Sequence, residues 1–102
     1  MRVTMTKRHC EISDELKTRA TTVVEKLAKV ASRPQSAEVI FDDDHGAKVV
    51  EIVLSLPRGQ TKVAKVEADD FRTALDRAAG KIRNQLQKET HRPQHGVGVV
   101  EE

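Results

Sequence analysis

Apolar residues recur at helical spacing in two stretches of this chain. The first repeat consists of Leu16, Ala20, Val23, Leu27 and Val30. Ser13, a favoured N-cap residue, precedes it and Pro34 follows, so the pattern predicts a helix from about residue 14 to residue 32. The second repeat consists of Phe71, Leu75, Ala78, Ile82 and Leu86. Asp69 or Asp70 is placed to cap this second helix, and each repeat marks one buried face.

Alternating apolar and polar residues predict four strands. The segments with this pattern are Val3–Met5, Ala37–Phe41, Lys48–Leu56 and Thr61–Glu67. Turn residues at 43–46 and 57–60 separate the last three, which favours hairpins. The predicted fold class is therefore α+β in the order β-α-β-β-β-α. We expect both helices to pack on one face of a four-stranded, mostly antiparallel sheet.

A chain of 102 residues has room for one domain with one core. We place that domain at residues 1–90. Pro93, Gly96 and Gly98 make residues 91–102 a predicted flexible C-terminal tail. No apolar run has the length of a signal peptide core or a membrane span, and Cys10 is a single cysteine, so the expected location is the cytoplasm, with no membrane partner.

The net charge of +2 hides a strong segregation of charge. Residues 17–33 and residues 71–88 each contain five basic residues against one acid, Glu25 or Asp76. On a helical wheel, the basic residues of the first helix that fall within about 80° of one another are Arg19, Lys26, Lys29 and Arg33. On the second, Arg77, Lys81 and Lys88 fall within about 40°, and Arg83 lies on the other flank.

These basic rows have the spacing of phosphate contacts. Residues one or two turns apart are separated by about 6 or 11 Å along the helix axis, commensurate with successive phosphates. The only aromatics, Phe41 and Phe71, occupy predicted core positions, which excludes a base-stacking surface. Folded RNA read through its backbone is the favoured ligand. Two alternatives stay open: an acidic protein partner for the basic helices, and solvated faces without a partner.

The order of elements and several short motifs resemble the ribosome hibernation-promoting factor family, also called the ribosome-associated inhibitor or sigma-factor modulation protein family. The motifs are Glu11-Ile12-Ser13, Glu25-Lys26-Leu27, Asp70-Phe71 with Thr73-Ala74-Leu75-Asp76, and Lys81-Ile82 with Gln85-Leu86 and Lys88. The resemblance covers about residues 2–90, and the second helix carries its most specific part. The chain resembles the short form of the family, which lacks a second domain.

The resemblance implies a translation silencer that docks on small-subunit rRNA near the decoding and tRNA sites and keeps ribosomes inactive under stress or in stationary phase. Lys26, Lys29, Lys81 and Lys88 match basic positions of the family and are expected RNA-binding residues. Arg19, Arg77 and Arg83 join them from the helical wheel alone. The expected partner is the small ribosomal subunit, with the protein a monomer off the ribosome.

Catalysis and cofactor binding are not expected. The sequence has no phosphate-binding glycine loop and no constellation of convergent titratable groups. Pro93 interrupts the His91–His95 spacing, so no metal site is predicted. We therefore expect no enzyme activity, no small-molecule substrate, no cofactor and no metal.

Gly80 lies within the second predicted helix, where we expect close packing against the first helix or the sheet.

Overall fold

The computed structural model describes residues 1–31 and 33–91, with side chains up to residue 88. Its elements are β1 (Arg2–Arg8), α1 (Asp14–Val30), β2 (Ser36–Asp44), β3 (Ala47–Ser55), β4 (Thr61–Ala68) and α2 (Phe71–His91), with a short 3-10 turn at Pro57–Gly59. The predicted order β-α-β-β-β-α is confirmed. Apart from His91, which ends α2, the predicted tail lies outside the described residues.

Both helices begin at the capping residues that the sequence predicts. The Ser13 hydroxyl accepts a hydrogen bond from the Leu16 backbone N–H at 3.1 Å. The Asp70 carboxylate accepts one from the Thr73 N–H, also at 3.1 Å. Each cap satisfies a backbone donor that the first turn of a helix leaves without an intrahelical partner.

The four strands lie in chain order across one sheet. β1 pairs with β2 in parallel, because α1 crosses between them, and β2–β3 and β3–β4 are antiparallel. The β2–β3 hairpin turns at His45 and Gly46, whose φ angles are 55° and 93°. Two consecutive positive φ angles are what a tight hairpin turn with the native strand twist requires.

The core lies between the helices and one face of the sheet. Its fully buried strand side chains alternate along β2 and β3: Val39, Phe41, Val50, Ile52 and Leu54. Leu75 and Ile82 of α2 and Val24 of α1 cover them. Phe41 and Phe71 meet edge to face, with ring centroids 5.5 Å apart. Within residues 1–31 and 33–91 no helix packs on the opposite face of the sheet, so the predicted two-layer arrangement is confirmed.

Three details differ from the sequence prediction. Val24 is fully buried, whereas Val23, which the sequence placed in the core, is only partly buried. The reason is that α1 packs against α2 as well as against the sheet, and this shifts its buried face toward Val24. The helix α1 ends at Val30, so Arg33 does not lie on its basic row. An ideal Cβ at Gly80 meets no atom within 4 Å, so the expected close packing at this glycine is wrong.

Candidate RNA interface

The outer surface of the helical layer carries all seven predicted RNA-binding residues. Six of them have exposed side chains: Lys26, Lys29, Arg77, Lys81, Arg83 and Lys88. Among the described residues, the structure gives none of these six a carboxylate partner. Their charges therefore face solvent, away from the sheet.

Arg19 differs from the other six because it pairs within the protein. Its Nε donates to Asp76 Oδ1 at 3.1 Å and its Nη2 donates to Asp76 Oδ2 at 2.8 Å. This two-pronged contact joins α1 to α2 and raises the pKa of Arg19 through the hydrogen bond to the carboxylate. The sequence shows Asp76 as the lone acid between Phe71 and Lys88, but no local spacing connects it with a residue 57 positions away.

A groove between the two helices brings Lys26 and Arg83 together. Its floor includes Leu27, Ala79 and the exposed Gly80. The Arg19–Asp76 pair crosses the helix–helix contact beside it. Two cations on a shallow groove can receive a strand of phosphates, and the absence of a side chain at Gly80 keeps the groove open.

The row Arg77, Lys81 and Lys88 occupies the other flank of α2. At 100° per residue it lies about 140° around the helix axis from Arg83, on the side away from the groove. On that side α2 runs along the free edge of β4, where the Gln85 side-chain amide donates to the Val63 carbonyl at 3.1 Å. The interface predicted from the sequence is therefore divided into the interhelical groove and the outer row of α2.

A wider depression opens where both helices begin. Arg19, Lys26 and Arg72 contribute its basic lining, and the capping residues Ser13 and Asp70 lie at its rim. Asp14, Glu15 and Asp70 also line it, so this depression carries charges of both signs and does not extend the positive surface of the groove.

Neither aromatic side chain forms an exposed stacking platform, although the half-buried Phe71 lines the depression where the helices begin. Phe41 is fully buried, and Phe71 packs its ring edge-to-face against it with the Lys48 ammonium 5.6 Å from its centroid. Base stacking requires exposed rings, so this surface is suited to contacts with phosphate and sugar.

The described part of the chain gives little support for a metal site, a reactive thiol or a membrane-spanning helix. Residues 1–31 and 33–91 hold no group of three or more His, Cys, Asp or Glu side chains that could bind a metal ion. Cys10 is half-buried, and its thiol lies 3.6 Å from the Phe41 carbonyl. None of the helices in these residues is both long and apolar enough to cross a membrane.

Comparison with known proteins gives one family match and several relatives. Residues 3–94 match the family described as sigma 54 modulation protein / S30EA ribosomal protein. The ribosome hibernation promoting factor of Pseudomonas putida KT2440 is 32% identical over 97 residues, which cover 92% of this chain and 91% of that protein.

Two solved structures have the same fold. The Thermus thermophilus Protein Y N-terminal domain superposes with a TM-score of 0.76 at 23% identity, covering 87% of this chain and 99% of the other. A ribosomal subunit interface protein from Coxiella burnetii superposes with a TM-score of 0.73 at 27% identity, covering 88% and 98%.

Proposed function

Because this chain belongs to the sigma 54 modulation protein / S30EA ribosomal protein family, we propose that it silences translation by binding the small ribosomal subunit. It docks on rRNA near the decoding and tRNA sites and keeps the ribosome inactive under stress or in stationary phase. It acts in the cytoplasm as a monomer, without a cofactor and without catalysing a reaction.

The observation that carries this proposal is the set of exposed cations on the helical layer. Lys26 and Arg83 line the interhelical groove, and Arg77, Lys81 and Lys88 form the outer row of α2. Positive side chains without carboxylate partners among the described residues are available to phosphates. With no exposed aromatic ring beside them, they favour folded RNA recognised through its backbone.

Arg19 contributes to this interface indirectly. Its two hydrogen bonds to Asp76 fix α1 against α2, and the groove cations Lys26 and Arg83 each lie about two helical turns beyond that contact. We propose that Arg19 is a positioning residue for the groove, and that Lys29 extends the same surface at the end of α1.

The names of the relatives support the ribosome as partner. One is a ribosome hibernation promoting factor and another is a ribosomal subunit interface protein. A small domain lodged between the subunits would block mRNA and tRNA by occupying their path. Such a mechanism needs affinity and shape only, which agrees with a surface built from lysine and arginine.

Binding through phosphates has a direct test in its dependence on salt. Each phosphate neutralised by a cation contributes about −0.7 to −0.9 to the slope of log K against log salt concentration. We expect the purified protein to sediment with small subunits at low salt and to dissociate steeply as salt rises. A protein that stays in the supernatant at low salt contradicts the proposal.

A pair of charge-reversal variants locates the interface. Lys81→Glu/Lys88→Glu changes the outer row of α2, and we expect it to lose co-sedimentation. The matched control, Arg8→Glu/Lys65→Glu, makes the same change of net charge on β1 and β4, on the sheet face that carries no helix. It should bind like the unmodified protein, with folding of both variants checked by thermal unfolding.

Competition with free rRNA separates RNA binding from recognition of an acidic protein. Free small-subunit rRNA should displace the protein from the subunit if phosphates are the ligand. Retention on the subunit in the presence of excess rRNA would instead favour an acidic ribosomal protein as the partner of the basic helices.

A further inference from the structure

The two helices run in the same direction along the sheet. α1 leads from Arg8, at the end of β1, back to Ser36, which pairs with Arg2 at the start of β1. α2 leaves the end of β4 and returns toward its start, where Gln85 contacts Val63. Both helices therefore begin at one end of the sheet and finish at the other.

The end where the helices finish is rich in basic residues, with one acid, Glu89, directly after Lys88 in the last turn of α2. We call it the basic end, and it comprises residues 1–2, 29–31, 33–36, 55–62 and 86–88. These segments contain no Asp or Glu. Their cations are Arg2, Lys29, Arg33, Arg58, Lys62 and Lys88.

The opposite end has the reverse charge. Residues 8–15, 42–48 and 67–72 hold nine carboxylates against three Lys or Arg side chains. Positive and negative charges are therefore separated along the strand axis, although the net charge of the chain is only +2. A field of this kind orients the protein as it approaches a polyanion.

Helix dipoles explain only part of this distribution. Lys29 and Lys88 lie close to the ends of their helices, where cations are favoured. Arg2, Arg33 and Arg58 belong to a strand end and two connections, so no helix dipole accounts for them.

Arg33 and Arg58 also occupy an uncommon backbone conformation. Their φ angles are 54° and 65°, in the left-handed region that residues with a Cβ adopt at a cost. Both side chains are exposed, and neither has a carboxylate partner among the described residues. Neither the packing of the domain nor its ion pairs requires arginine at these two turns.

We propose that the basic end is a second RNA-contacting surface, in which Arg33 and Arg58 bind rRNA phosphates beside those held by the helices. This inference rests on the proposed function and adds an orientation: the basic end points into the RNA, and the acidic end points away from it. Lys29 and Lys88 connect this surface with the helical one.

Phosphate fits this surface better than a protein partner does. Protein interfaces are usually centred on buried aromatic or aliphatic anchors. Leu56 and Leu86, the leucines of the basic end, are already buried in the core. Among the described residues of this end, Met1 is the one large apolar side chain that is exposed. A cluster of cations around a single methionine is more typical of backbone contacts to nucleic acid than of a protein interface.

The test is Arg33→Glu/Arg58→Glu, compared with Arg8→Glu/Lys65→Glu, which has the same change of net charge. Binding of both to small subunits is measured by sedimentation over a range of salt concentrations. For the basic-end variant we expect binding at least about 10-fold weaker, with a salt slope smaller by about 1.4 to 1.8 for two lost phosphate contacts. The control should retain its slope.

The outcomes distinguish this inference from the proposed function. If Arg33→Glu/Arg58→Glu binds as the control does while Lys81→Glu/Lys88→Glu loses binding, Arg33 and Arg58 make no RNA contact, so this inference fails while the proposed function stands. If the unmodified protein fails to bind at low salt, the proposed function fails and this inference fails with it. Thermal unfolding of each variant shows that an altered binding constant reflects the surface and not the fold.

Discussion

Arg19 and Asp76 connect the two helices across 57 positions of sequence through two hydrogen bonds of 3.1 and 2.8 Å. The pair uses the one carboxylate of α2 up to Lys88 and one cation of the basic row on α1. It therefore holds α1 and α2 in a fixed position relative to each other. It also neutralises Arg19, which is then not available to bind a ligand.

Breaking this pair should release Arg19 toward RNA. In Asp76→Ala the guanidinium loses its partner beside the groove that Lys26 and Arg83 line. We expect a salt slope steeper by about 0.7 to 0.9 if Arg19 then contacts one phosphate, whereas loss of the positioning contact alone would weaken binding without steepening the slope. Sedimentation at several salt concentrations measures both quantities.

The control for that variant is Asp69→Ala, which adds the same charge at the acidic end without releasing Arg19. It should change the salt slope little. Equal slopes for the two variants would mean that the freed Arg19 makes no phosphate contact and that only net charge matters.

The elements of the fold were predictable from the sequence because their signals are local. Ser13 caps α1 three residues before its hydrogen-bond partner Leu16, and the alternation through Val50, Ile52 and Leu54 marks a strand with one buried face. Both features are decided by residues close together in the chain, and the structure confirms both.

Features that depend on how elements pack were less predictable. A wheel drawn on α1 alone favours Val23 as a core residue, whereas packing against α2 buries Val24 completely. The same wheel includes Arg33, although the helix ends at Val30. The positions of the basic residues on the helices were predicted, but the neutralisation of Arg19 by Asp76 follows only from the tertiary fold.

Gly80 gives a prediction about stability. Glycine within a helix costs roughly 0.5 to 1 kcal/mol relative to alanine, and a Cβ at this position meets no atom within 4 Å. Gly80→Ala should therefore raise the free energy of unfolding by about that amount in urea denaturation.

Gly46 supplies the opposite case. Its φ of 93° is one that a residue with a Cβ rarely adopts, so Gly46→Ala should lower the free energy of unfolding even though its Cβ also meets no atom. A loss of stability in Gly80→Ala would contradict the open environment that the structure gives this position.

The cap of α1 gives a third prediction. Removing the Ser13 hydroxyl leaves the Leu16 N–H without its acceptor, so Ser13→Ala should lower the free energy of unfolding by about 1 kcal/mol. Ser13→Asp retains an acceptor at the favourable end of the helix dipole and should preserve most of the stability. Equal losses in the two variants would mean that the cap hydrogen bond is not the source of the effect.

The cap of α2 differs from that of α1 because it titrates. Hydrogen bonds from Thr73, through its side chain and its backbone N–H, lower the pKa of Asp70 below its usual 3.8. The charged carboxylate is therefore favoured in the folded state, and its stabilisation is present above pH 3.8 and lost as pH falls through the lowered pKa. Urea denaturation should show Asp70→Asn less stable than the unmodified protein at pH 6, with the difference shrinking as the pH falls below 3.8. The penalty of Ser13→Ala, which removes no titrating group, should stay nearly constant over the same range. A difference for Asp70→Asn that does not change with pH would refute this electrostatic origin.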